Sequence, residues 1–474
     1  MALSPSPLVQ RMDHFFEDLA LVLSPGSHAT EWMWSSSLPP DLLAAELAKA
    51  NCRPGLIAMQ WREGRGRSLI ATHDVRRGDL ILSVKAHAYV PLLQQQRRHS
   101  ESLTAAAHLL AGLGFDVATL ELALAAVETE GCRSLILSFS RPAYPPAHEL
   151  KRLEVELRRL LSATNALPAA MVHSGGGSNS GRGTALLLDL LLRVKSNLHR
   201  VLDDETASRS IGLGLYPAAC LLNHSCLPNA CLSYSEAGQT VQVRAQCDIP
   251  AGMEVTTSYL SEEAGLYASF PERRALLRAA HGFDATDPPE RRAAEAAAGL
   301  GAAAAPNVCP DELFTLTRMV QEGTTAAQRA ISTGTPSVLD AATDDLLALI
   351  DRLMASGLHP FHALPQEAHV ALLAVARALD DPTLVARAAL HLLTAREALV
   401  PRGTLHLASL YAAHGGAIAR LLAEGVVPVA ERLAARERAV ASLRAAQKIR
   451  TCCLGQGHPL ARATSAALQR LEKS

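Results

Sequence analysis

Leu221-Leu222-Asn223-His224-Ser225-Cys226-Leu227-Pro228-Asn229, followed about thirty residues on by Glu254-Val255-Thr256-Thr257-Ser258-Tyr259, decides how this chain is read. An apolar segment, Ile211 to Leu222, runs straight into small and amide-bearing residues closed by a Pro-Asn turn. At such a junction a backbone leaves the core and offers side chains to a ligand.

Between the two strings, Val241, Val243, Ala245 and Cys247 alternate with Gln242, Arg244 and Gln246, the period of two of a strand with one wet face. Asp248-Ile249-Pro250-Ala251-Gly252-Met253-Glu254-Val255 is then a turn feeding a strand. The same grammar stands far upstream in Asp74-Val75-Arg76-Arg77-Gly78-Asp79-Leu80-Ile81-Leu82. Two such units predict two small β-sheet pieces that pack together around a helical insertion. Ahead of the first unit, Gly64-Arg65-Gly66-Arg67-Ser68 is a flexible turn entering the apolar run Leu69-Ile70-Ala71.

The Asn-His-Ser-Cys-x-Pro-Asn string, the Asp248–Val255 turn and strand, and the closing Ser258-Tyr259 together resemble the catalytic half of a SET domain, the fold of protein-lysine methyltransferases. Gly214-Leu215-Tyr216-Pro217 ahead of the motif makes the likeness one to the SMYD group. The resemblance implies an α+β chain: a SET-type fold of small β-sheets with a helical insertion, followed by an all-α, TPR-like helical domain. It also implies S-adenosylmethionine as methyl donor and a lysine side chain of a protein, histone or otherwise, as acceptor.

By the same resemblance Tyr259 is the catalytic residue, with its hydroxyl at the transferring methyl, and it shares the lysine side with Tyr216. Asn223 and His224 hold the donor, Gly66-Arg67-Ser68 lies against it with Ser in place of a second Gly, Asn197 meets its amino-acid end, and Phe283 stacks on its adenine. Read from the residues alone, each also has a plain role: Tyr259 as a strand-end core tyrosine, His224 as a structural histidine, Phe283 as core, and Gly64-Arg65-Gly66 as an ordinary turn. The chemistry asks for a neutral amine. An aqueous lysine, with its pKa near about 10.4, must be desolvated or lose its proton before it attacks.

SMYD proteins carry a MYND-type zinc finger after the first strand unit and a cysteine-zinc cluster after the closing Tyr; this sequence matches neither pattern. Cys220, His224, Cys226 and Cys231 fit no familiar zinc spacing and are read as buried thiols, so no metal is expected.

The 474 residues suggest two or three domains. Residues 1–50 read as a peripheral segment with a short amphipathic helix from Met12 to Leu23. Residues 51–285 form the SET domain, as an N-terminal half (51–100), a helical insertion (101–200), a catalytic half (201–260) and a post-SET-like segment (261–285). Residues 286–306 read as an Ala-rich linker and 307–474 as the helical domain.

Within the insertion, Leu150, Leu153, Leu157, Leu160 and Leu161 share a helix face, Ser174 to Gly181 is a flexible loop, and Thr184 to Val194 is a buried helix ending at Asn197. In the last region the periodicity gives helices over 344–354, 368–379, 384–395, 405–424, 429–454 and 459–471. Such hairpins offer a concave surface for protein partners, or simply cover the SET domain.

A net charge of −1 gives no bulk footprint for nucleic acid or anionic membrane. Nine Cys without a Cys-x-x-Cys pair read as reduced thiols. No apolar run approaches the roughly 18–20 residues of a membrane span. Early acidic residues (Asp13, Glu17, Asp18) fit neither a secretory nor a transit peptide, so cytoplasm or nucleus is expected. A non-catalytic SET and TPR-like interaction scaffold is the competing expectation, opposed by the joint presence of Asn223, His224 and Tyr259.

Overall fold

The structure, a computed structural model, describes residues 41–473 except 64, 93–103, 105–106, 109–110, 112–114, 129–135, 137–138, 140–147, 149, 156–178, 204–209, 236–237, 261–264, 285, 299–307 and 401–402. The expected helix at Met12–Leu23 lies outside these residues, as do 174–178 of the Gly/Ser loop and 156–161 of the Leu-rich helix.

Helix α1 (Asp41–Ala50) opens the described chain and buries Leu43, Leu47 and Ala50, the i, i+4, i+7 stripe of an amphipathic helix. Residues 41–50 thus join the core, where a peripheral segment was expected. Strands β1 (Ile57–Arg62) and β2 (Gly66–Ala71) form an antiparallel hairpin in register from Ile57–Ala71 to Arg62–Gly66. Its tip is possible because Gly66 takes φ +71°, a left-handed value that side chains disfavour.

Strands β3 (Leu80–Lys85), β4 (Ala88–Pro91), β5 (His199–Leu202), β6 (Ser210–Leu215), β7 (Asn223–His224), β8 (Ala230–Tyr234), β9 (Thr240–Ala245) and β10 (Thr256–Thr257) complete the β part. They pair as β3-β9-β8, β4-β6-β5 and the short parallel pair β10-β7. The alternation from Val241 appears in β9, with Val243 and Ala245 fully buried, although the strand stops before Cys247.

The two Asp-to-Gly turns meet. Val75 and Ile249 exchange backbone hydrogen bonds at 2.9 and 2.8 Å, so the N-terminal and catalytic halves are joined through them. Helices α2 (Val117–Glu128) and α3 (Asn179–Asn197) lie in the insertion, and Leu122, Val194, Leu215 and Val243 belong to one buried cluster. Helix α3 begins at Asn179, so residues 179–181, expected in the flexible loop, are helical.

Helices α4 (Phe270–His281) and α5 (Pro289–Ala297) follow the catalytic half. Residues 289–297 are therefore a packed helix with Arg291 and Glu295 buried, where a linker was expected; 299–307 lie outside the described residues. The C-terminal region is helical: α6 (Pro310–Thr333), α7 (Pro336–Ala355), α8 (Ala363–Ala378), α9 (Pro382–Leu399), α10 (Leu405–Ala423), α11 (Arg432–Leu454) and α12 (Pro459–Lys473).

Helix α6 had no counterpart in the sequence reading. Its buried stripe is only Leu316, Val320, Ala327 and Ala330 among many Thr and Gln, too thin a signal to stand out. Helix α11 meets β8 and β9, and Cys231 of β8 shares a buried cluster with Cys453 and Leu454. Among the described residues no helix is long and apolar enough to cross a membrane.

Candidate active site

Parallel pairing of β7 with β10, Asn223 opposite Thr256 and His224 opposite Thr257, brings the two motif strings side by side. The small residues between them hold the crossing. Asn229 Nδ2 donates to the Glu254 carbonyl at 2.8 Å, while its Oδ1 accepts the Thr256 amide at 2.8 Å. Ser225 donates its amide to the Thr257 carbonyl at 2.8 Å, and its hydroxyl accepts the Leu227 amide at 3.1 Å.

Asn223 is thereby aimed at the tip of the β1–β2 hairpin. Its Nδ2 has the Glu254 carboxylate at 2.8 Å, Ser68 Oγ at 3.0 Å, the Arg67 carbonyl at 3.0 Å and the Arg65 carbonyl at 3.4 Å as acceptors. Glu254 is 6 % exposed and also takes an ion pair from Arg65. Burial alone raises its pKa, but hydrogen bonds from Asn223 and Ser68 and the Arg65 charge outweigh it and hold the carboxyl below its ordinary value. The hairpin tip is therefore clamped around a buried carboxylate.

Tyr259 lies at the other side of β7. Its amide donates to His224 Nδ1 at 3.0 Å and its hydroxyl to the Leu222 carbonyl at 2.7 Å. The residue as a whole is 36 % exposed, yet its hydroxyl is desolvated, which raises the phenol pKa further and keeps the proton on oxygen. The His281 ring stands 4.9 Å from the Tyr259 ring, His224 5.5 Å and Phe283 6.2 Å, the last edge-on. Burial first, then neighbouring positive charge, lowers the pKa of His224 to about 3 and that of His281 to about 4. The wall beside Tyr259 is therefore aromatic and uncharged at neutral pH.

The other expected residues fall as follows. Gly66, Arg67 and Ser68 form the clamped tip and the start of β2, and burial beside Arg193 lowers the Arg67 pKa. His224 has both ring nitrogens occupied within the chain, Nδ1 by the Tyr259 amide and Nε2 by the Cys226 thiol at 3.3 Å, so its imidazole braces the turn. Asn197 is buried at the end of α3 and donates to the Arg193 carbonyl at 2.7 Å. Tyr216 is fully buried, donates its hydroxyl to the Gly238 carbonyl, and packs edge-on against His199 at 5.5 Å. That placement sets Tyr216 in the buried core.

Glu254, Arg65 and His281 were not singled out from sequence. Glu254 was legible as part of the second string, whereas an arginine in a Gly-rich turn and a histidine closing a helix carry no signal until the fold brings them together. Cys226 faces His224 at 3.3 Å, whereas Cys220 lies 3.9 Å from His199 and Cys231 faces Cys453, so the four residues do not gather into one set. Among the described residues no group of three or more His, Cys, Asp or Glu is gathered to hold a metal ion.

Residues 66–260 match the family model of the SET domain. The N-lysine methyltransferase SMYD2-B of Danio rerio is 42 % identical over 74 residues, 16 % of this chain and 16 % of that protein. The N-lysine methyltransferase SMYD2 of Homo sapiens is 27 % identical over 230 residues, 42 % of this chain and 52 % of that protein. The chain thus spans about half the length of the latter and less of the former. A crystal structure of the SET domain of LSMT bound to lysine and AdoHcy aligns over 92 % of this chain and 93 % of that one, at 13 % identity and a TM-score of 0.30. A superposition that loose carries no weight on chemistry.

Proposed function

We propose, for a chain whose residues 66–260 match the SET domain and whose partial relatives include SMYD2, protein-lysine N-methyl transfer with S-adenosylmethionine as donor. The observation that carries this reading is the juxtaposition of the Asn223–Glu254 clamp on the Gly66 hairpin with the exposed, protonated Tyr259 and its neutral aromatic wall. The residues present suit that ligand: the electron-rich faces of Tyr259, His281 and Phe283 suit a sulfonium and a purine, while the Asn223–Glu254–Arg65 clamp fixes the hairpin tip that would lie against it.

S-adenosylmethionine, when bound, supplies a methyl group on a sulfonium, which a neutral lysine amine takes through a new N–C bond as the C–S bond breaks. The aromatic wall favours the neutral amine by excluding water, and the ammonium proton leaves to solvent. With its proton held toward the Leu222 carbonyl, the Tyr259 oxygen would keep lone pairs free to orient the amine and to accept weak C–H···O contacts from the methyl group of a bound donor. The protein substrate docks a lysine from the exposed side of Tyr259, and the C-terminal helices offer a surface for partners. The free thiols suit a reducing compartment, cytoplasm or nucleus.

Titration calorimetry with S-adenosylmethionine tests the reading. Saturable binding that is lost in Asn223→Ala supports it. No binding by the wild-type chain overturns it and favours the interaction scaffold.

A further inference from the structure

Four charged side chains are buried together behind the aromatic wall. Arg273 is fully buried; it ion-pairs with Asp287 through one terminal nitrogen and with Glu295 through the other, which also donates to the Ala268 carbonyl. Arg291, equally buried, reaches Glu295 at 3.0 Å, the Leu266 carbonyl at 3.0 Å and the Leu399 carbonyl at the end of α9 at 2.7 Å. Two guanidiniums and two carboxylates balance, and the cluster ties five segments of chain.

Buried ion pairs are a poor source of net stability, because desolvation offsets the attraction. What planar guanidiniums give is fixed direction. Here the direction is set toward the site from two sides. Arg273 on α4 and Asp287 bracket the short stretch that carries His281 and Phe283, the rings that face Tyr259.

The Cys226 thiol, fully buried against Leu266 and Leu277, contacts His224 Nε2, whose Nδ1 in turn accepts the Tyr259 amide. Polar contacts therefore run from the Leu399 carbonyl through Arg291 and Glu295 to Arg273, and from Cys226 through His224 to Tyr259, and the two runs meet in the buried cluster that packs Cys226 with Leu266, Leu277 and Leu399. Around them Leu227, Leu260, Leu266, Leu277 and Leu399 form one apolar cluster that excludes water.

We infer that Arg273, Asp287, Glu295 and Arg291 are positioning residues that set the Tyr259 turn and the His281–Phe283 wall, and that through Leu399 the C-terminal helices fix the site's geometry. This rests on the methyl-transfer reading for its purpose, but not for its structural content. The network's partners are side chains and carbonyls of the chain itself, and it acts through the cluster around Cys226 and through the bracketed segment.

Hydrogen exchange followed by mass spectrometry, on the full chain without ligand, reads the coupling directly. In Asp287→Asn, peptides covering 257–260 and 281–284 are expected to exchange at least tenfold faster, with α7 and α12 unchanged. Cys226→Ala, which removes the thiol contact to His224 and leaves the ion pairs in place, is the gentler variant if Asp287→Asn fails to fold; it is expected to speed 257–260 alone, and Cys226→Ser to restore it. S-adenosylmethionine affinity by calorimetry should fall about tenfold in the same variants, and the Asp287→Asn effect should shrink in a Phe283→Ala background. Uniform acceleration across the chain, or none at 257–260, overturns the inference even if the wild type binds S-adenosylmethionine. Local acceleration in a wild-type background that binds no S-adenosylmethionine leaves the coupling standing and overturns the methyl-transfer reading instead.

Discussion

Asp74 and Asp248 cap each other's turns: Asp74 Oδ1 accepts the Ala251 amide at 2.9 Å, and Asp248 Oδ1 accepts the Arg77 amide at 2.8 Å. Each aspartate opens one of the two repeated turns and binds the residue three places along the other, beside the reciprocal Val75–Ile249 pair. Gly78 and Gly252 close the two turns with φ +89° and +84°. The pair is an internal two-fold that staples the halves of the domain.

Alanine at either aspartate should cost about 1 kcal/mol, the net worth of one such hydrogen bond. Because both turns lean on the same backbone pair, the double variant should cost measurably less than the sum. Urea unfolding of the cycle checks this, and strict additivity would show that the two caps act independently.

Asn223→Asp replaces the donor beside Glu254 with a second carboxylate. Wild-type Glu254 has a depressed folded pKa, so its contribution is present above the unfolded value and lost as pH falls through the folded one. In the variant the sign reverses, since two adjacent carboxylates raise one pKa. Stability should drop by roughly 2 kcal/mol at neutral pH and partly recover toward pH 4–5 as the pair takes a proton; Asn223→Ala should show no such recovery.

Tyr259→Phe removes the hydroxyl that donates to the Leu222 carbonyl. Folding should weaken by about 1 kcal/mol, S-adenosylmethionine affinity should stay, and turnover should fall. Single-turnover transfer of labelled methyl to a lysine-containing protein measures the last; an unchanged rate removes Tyr259 from the mechanism.

Acid should destabilise the protein through its buried neutral imidazoles. His224 and His369, with folded pKa values of about 3 and about 4, are held low chiefly by burial. A depressed pKa means the unfolded chain takes the proton first, so stability is full above the unfolded value near 6.5 and is lost as pH falls toward the folded one. By pH 5 the loss should be on the order of 2 kcal/mol for each, seen as a fall in urea midpoint between pH 7 and pH 5; a flat profile would place these rings in water.

Chelation should leave the thermal midpoint unchanged, because Arg273, Asp287, Glu295 and Arg291 hold the segment after Tyr259 through ion pairs. A drop of several degrees with chelator would reveal a metal that contributes to folding.

The local chain was enough to announce the strand of β9, the turn ahead of Leu69, most C-terminal helices and the two strings that meet at the site. These depend on alternation, Gly and Pro chemistry and apolar periodicity within a few residues, which neighbours in sequence dictate. The repeat of Asp-apolar-x-x-Gly was also plain in the sequence; that the two copies clasp each other was not, because pairing across more than 170 positions is decided by which surfaces the whole fold leaves facing.

The same limit explains the misjudged elements. Residues 289–297 look like an Ala-rich linker until Arg291 and Glu295 find Arg273, and that Tyr216 is buried with its hydroxyl on the Gly238 carbonyl shows only once the fold is assembled. A buried charge is stable only beside its partner, and a buried hydroxyl only beside an acceptor. Sequence alone determined which strings mark the candidate site and which stretches coil or extend; tertiary structure decided which of them meet, since desolvation and pairing belong to the assembled interior and to no single stretch of chain.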